Sequence, residues 1–78
     1  MPKGGKASST IGKHKASRLK KIALSGNNTF SERMRAIDLL GELRDDAFDD
    51  LSQIATKGLT YSERMNALDM LEKIVKQR

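Results

Sequence analysis

Leu19, Ile22 and Ala23 stand at i, i+3 and i+4 in an otherwise polar, charged stretch. That spacing predicts a short helix beginning near Lys15 with these three residues on its buried face. Ser25, Gly26, Asn27 and Asn28 follow as four turn-prone residues in a row, and Gly26 suits the left-handed position just past a helix end. The stronger pattern starts at Thr29. Thr29, Phe30, Ser31 and Glu32 have the spacing of a capping box, in which threonine and glutamate each satisfy the other's backbone N–H. Behind it, Phe30, Met34, Ile37, Leu40 and Leu43 recur at steps of four and three, the apolar stripe of a helix of about four turns.

Thirty-one residues later the pattern returns. Thr60, Tyr61, Ser62 and Glu63 form a second box, followed by Met65, Leu68, Leu71 and Ile74. Across 29–43 and 60–74, eight of fifteen positions are identical, including the arginines Arg33 and Arg64 and the aspartates Asp38 and Asp69. Shared apolar spacing arises easily by chance; a shared cap, arginine and aspartate in register do not. Leu51, Ile54 and Ala55 precede the second box as Leu19, Ile22 and Ala23 precede the first. Asp45 and Asp46 are placed to cap the short helix, with Asp49 and Asp50 in its first turns and Gly58 closing it as a left-handed residue. The expected unit is a short helix, a tight turn and a longer helix, repeated over about 15–43 and 46–76.

A helix-pair unit with Arg33 and Asp38, then Arg64 and Asp69, at matching places in the longer helices resembles HEAT-like α-helical repeats. The resemblance covers about residues 15–76 and implies a scaffold that binds other macromolecules. Two units are few, since stacked repeats bury a continuous core only with neighbours. Two remedies are open: closure into a compact four-helix bundle, or pairing of an apolar face with another chain as a homodimer. Ala36, Leu39, Ala67 and Met70 widen the stripe beyond one face, as a helix with several neighbours requires.

Charge divides the chain in a second way. The net +5 is concentrated at the beginning, where Lys3, Lys6, Lys13, Lys15, Arg18, Lys20 and Lys21 stand without any acid. Residues 1–14 combine three of the six glycines, the one proline and little apolar mass, so a disordered basic arm is expected there, with a helical-repeat domain over 15–78. The seven bases form a candidate polyanion-binding surface, sequence-blind and salt-sensitive, without an aromatic for base stacking. The absence of cysteine excludes disulfides, thiolate metal sites and cysteine nucleophiles. The longest apolar run, Ile22, Ala23 and Leu24, offers neither a membrane span nor a secretory segment, and a cytoplasmic protein is expected.

Candidate chemistry is sparse. His14, the only histidine, sits between two lysines in the arm, where nothing holds it in catalytic geometry. The Asp45, Asp46, Asp49 and Asp50 cluster lacks the glycine and closing glutamate of a calcium loop and sits where helix N-termini favour acids. Met34 and Met65 read as core filler. Arg33 and Asp38, five apart, do not share a helix face, so their duplication points to a structural device repeated once per unit.

These readings lead to an all-α fold: a disordered basic arm, then four helices as two HEAT-like pairs. No catalytic, cofactor or metal residues are expected, and the function is a non-enzymatic binding or adaptor module. Its helical surface takes a protein partner while the arm attracts acidic groups. The alternative is a nucleic-acid-binding protein using the arm and first helix, in its sharpest form a helix-turn-helix with Ser31, Glu32, Arg33 and Arg35 opening the recognition helix.

Overall fold

The computed structural model describes residues 11–78. The described residues form four α-helices and one 3-10 turn: α1 (Lys3–Leu24, described from Ile11 on), α2 (Phe30–Glu42), η1 (Arg44–Ala47), α3 (Phe48–Lys57) and α4 (Tyr61–Lys76). The described residues contain no strand, so the all-α expectation holds. For residues 1–10 the expected disordered arm lies outside the described residues. For residues 11–14 it is corrected, because Ile11, Gly12, Lys13 and His14 already belong to α1. Gly12 is buried, and a Cβ there would collide with the Asp46 side chain. Tertiary contact with η1 therefore continues the helix where glycine and charge would otherwise have ended it.

Helix α1 packs on α2 and α3 on α4. The two hairpins meet along two seams, α1 against α3 and α2 against α4. Contacts along the second seam ascend together, from Arg33 with Glu63 through Asp38 with Asn66 to Gly41 beside Met70, so α2 and α4 run parallel. In an up-down-up-down ring α2 and α4 would lie on the diagonal, whereas here they are packed neighbours. Ile37, Leu40, Leu51 and Ile54 have no exposed surface and form the centre of the core. Ala16, Ala23, Ala36, Ala47 and Ala67 let the helices approach around them. Each large side chain so buried contributes roughly 1.5–3 kcal/mol.

Local devices depart from expectation in instructive ways. Thr29 caps α2 reciprocally: it accepts from the Glu32 N–H (3.1 Å), and its own N–H donates to Glu32 Oε1 (2.7 Å). Asp45 and Asp46 do not cap α3, whose N-cap residue is Ala47 without a side-chain bond. Asp45 pairs instead with Arg78 (2.9 Å), and Asp46 lies against α1 at Gly12. No described glycine has positive φ, which corrects the left-handed roles expected of Gly26 and Gly58. Gly58 is required by crowding, since a Cβ would meet Ile54 O and Arg64 Cγ within 3 Å. The left-handed residue is Arg44, with φ 53°, where α2 turns into η1.

The predicted apolar stripes are buried unequally. In α2, Ile37 and Leu40 are fully buried. In α4 their counterparts 31 positions on are not: Leu68 is 47% exposed and Leu71 only partly buried, and Met65 lies open where Met34 is partly covered. The difference is topological, because α4 covers that face of α2 and no element of the described chain covers the same face of α4. Ile22, expected inside, is on the outer edge of α1, which turns its small residues Gly12, Ala16 and Ala23 inward.

Candidate interaction surface

At the α2–α4 seam the first turn of each helix supplies one half of an ion pair. Arg33 Nε donates to Glu63 Oε1 (2.6 Å) and Nη2 to Oε2 (3.2 Å), while Nη1 donates to the Asn28 carbonyl in the turn before α2. The Glu63 side chain has no exposed surface and that of Arg33 is 11% exposed. Thr60 completes the site. Its hydroxyl donates to Glu63 Oε2 (2.6 Å) and accepts from the Glu63 N–H (3.2 Å). Glu63 therefore turns away from the reciprocal capping box expected of it, and no bond returns to the Thr60 backbone. Burial pushes its carboxyl up, but bonds from Arg33 and Thr60 and the nearby Arg64 charge hold it below the usual carboxylate range. The Glu63 bond raises the Arg33 pKa in turn.

The duplicated residues behave alike where they have neighbours. Arg64 Nη1 donates to the Gly58 carbonyl (2.8 Å), as Arg33 does to Asn28, so each arginine ties its helix to the preceding turn. Asp38 accepts from Asn66 Nδ2 (3.0 Å) across the seam. Asp69, its counterpart, has no partner among the described residues, and Arg64 makes no carboxylate contact there. Asp38 thus serves as a structural link between the two helix pairs, while its copy Asp69 does not.

On the opposite side of α2 a shallow groove opens between α1 and α2. Leu19, Ile22, Ala36 and Leu39 form its apolar floor. Lys15, Arg18 and Arg35 stand around it with Glu32 and Glu42. Sequence reasoning missed this groove because it placed Ile22 in the core. The clue was available in Leu39, which lies off the main stripe.

Of the seven candidate polyanion ligands, the five among the described residues do not form one surface. Lys3 and Lys6 lie outside the described residues. Lys13 lines a hollow with Asp45, Asp46, Asp49 and Asp50. Lys20 is engaged with Asp50 (3.5 Å) and Gln53 (3.4 Å), tying α1 to α3. Lys15 and Arg18 border the groove, and Lys21 is exposed. No group of three or more metal-ligating side chains occurs among the described residues, the aspartates included. His14 is exposed on α1. Ser31, Glu32 and Arg35 border the groove together, whereas Arg33 turns inward to Glu63, so three of the four residues expected to open a recognition helix share one face.

Compared with known protein families, with curated proteins and with solved structures, the chain matches none. Among the described residues, no helix is long and apolar enough to cross a membrane.

Proposed function

We propose that this chain is a non-enzymatic binding module of the cytoplasm, built from two HEAT-like helix pairs, which holds an acidic, apolar protein segment in the α1–α2 groove. The observation that carries the reading is an open apolar floor, Leu19, Ile22 and Leu39, flanked by the cations Lys15, Arg18 and Arg35. An apolar strip rimmed by charge suits a helix that presents one hydrophobic face. The rim cations speed encounter and select acidic partners more than they strengthen the final complex. Nucleic acid fits less well, because Lys20 is engaged by Asp50 and Lys13 lines a hollow with four aspartates of the same chain.

Capture from a lysate by the full chain, with and without nuclease, tests the choice between protein and nucleic acid. The expected result is nuclease-resistant capture that Leu39→Glu abolishes and that Lys15→Gln with Arg18→Gln makes slower to form. Capture that nuclease removes, and that falls steeply with salt while ignoring Leu39→Glu, would support the polyanion alternative.

A further inference from the structure

Two faces of this molecule are open, and each repeats one half of a contact that the molecule already makes internally. At the α2–α4 seam, Arg33, Ile37 and Asp38 of α2 belong to the covered side, and Glu63, Asn66 and Met70 of α4 cover it. Shifting the first set forward by 31 positions gives Arg64, Leu68 and Asp69, on the open face of α4. Shifting the second set back by 31 gives Glu32, Arg35 and Leu39, which border the open groove. The exposure follows suit. Ile37 is buried and Leu68 exposed; Met70 is partly buried and Leu39 exposed.

We infer that the occupant of the groove is the α4 face of a second copy of this chain, docked head to tail; this deepens the binding-module reading and rests on it. In that contact Arg64 of one copy meets Glu32 of the next, as Arg33 meets Glu63 within the chain. Asp69 meets Arg35, and the hydrogen bond of Asp38 with Asn66 becomes an ion pair. Both pairs are of opposite charge, and the face formed by Met65, Leu68 and Val75 with Asp69 and Glu72 is the acidic, apolar surface the groove suits.

The capping boxes support the same assignment. Glu63, which has an arginine from the preceding hairpin, leaves its box for that arginine; Glu32, which has none, keeps its box closed. Arg64 already holds the pose of Arg33, one nitrogen on the preceding turn and its other donors directed to no carboxylate. At one level the register changes. Gly41, which Met70 overlies, corresponds to Glu72, so the helices of two copies spread apart towards that end. Contacts of this kind are heterologous and propagate into a chain or close as a ring.

Sedimentation equilibrium of the full chain, with circular dichroism confirming unchanged helicity, tests this over about 10 μM to 1 mM, a range suited to a small interface. The wild type is expected to show a mass rising with concentration. Leu39→Arg blocks the groove and Leu68→Arg blocks α4; both positions are exposed, so folding is preserved. Each variant alone should be monomeric, while an equimolar mixture should form one-to-one dimers and nothing larger. Arg64→Glu should weaken association by about tenfold or more, and adding Glu32→Arg should restore it. A dimer of Leu39→Arg alone would show a symmetric α4 interface and overturn the head-to-tail arrangement. A wild type that stays monomeric throughout would overturn self-association, while nuclease-resistant capture lost in Leu39→Glu would leave the binding-module reading standing.

Discussion

Glu32 and Glu63 occupy the same place after a capping threonine, yet their carboxylates do different work. The first closes a reciprocal box on the surface, and the second is drawn into a buried pair with Arg33. The threonines therefore carry unequal loads. Thr29→Ala removes one helix-terminal acceptor and should cost about 1 kcal/mol. Thr60→Ala also strips a donor from a buried carboxylate and should cost nearer to about 2 kcal/mol. Urea unfolding of the two variants checks the order; equal losses would mean that Glu63 does not depend on Thr60. Both caps were legible in the sequence, because a cap is written within four residues. The Arg33–Glu63 pair was not, since its members are 30 residues apart and meet only through the parallel stacking of α2 on α4. One signal was present: each copy carries a Glu-Arg dipeptide, and a 31-residue offset brings the arginine of one copy beside the glutamate of the next.

At the scale of the element, turns and crossings decide where glycine is needed. Gly26 has neither positive φ nor any neighbour within 4 Å of the place a methyl group would take, so Gly26→Ala should stabilise the protein by about 0.4–1 kcal/mol through the unfolded chain. Arg44 is the opposite case, a side-chain-bearing residue held in the left-handed region, and Arg44→Gly should relieve up to about 1 kcal/mol. Thermal melts that rank both variants at or above the wild type agree with these assignments; a lowered melting temperature for Gly26→Ala would contradict the first. Reading from propensity placed the left-handed turns at glycines because glycine is their usual occupant. It began the first helix near Lys15 for a similar reason, since Gly12 and its charged neighbours favour no helix alone. What continues α1 is the approach of Asp46 to Gly12, a contact between residues 34 apart that local pattern cannot reveal.

Across the whole molecule, a buried ion pair joins the hairpins where α2 and α4 begin; hydrophobic burial, the Asp38–Asn66 bond and the contacts of Lys20 with Asp50 and Gln53 join them elsewhere. Removing one partner of such a pair is strongly destabilising, because the other charge stays buried without compensation. Proton linkage makes the consequence specific. In the wild type the Glu63 carboxyl lies below its ordinary range, so the stability it contributes is present above the unfolded value of about 4.3 and is lost as pH falls towards the folded value. In Arg33→Met, burial acts on Glu63 without its chief opponent and pushes the carboxyl up, so acidification relieves the penalty. The most direct measurement is therefore the unfolding free energy of wild type and Arg33→Met from pH 7 down to about pH 3, where carboxylates titrate. A gap between the two curves that is wide at neutral pH and closes on acidification is the predicted result. A gap that stays constant across the range would show that Arg33 and Glu63 do not lock the two hairpins together.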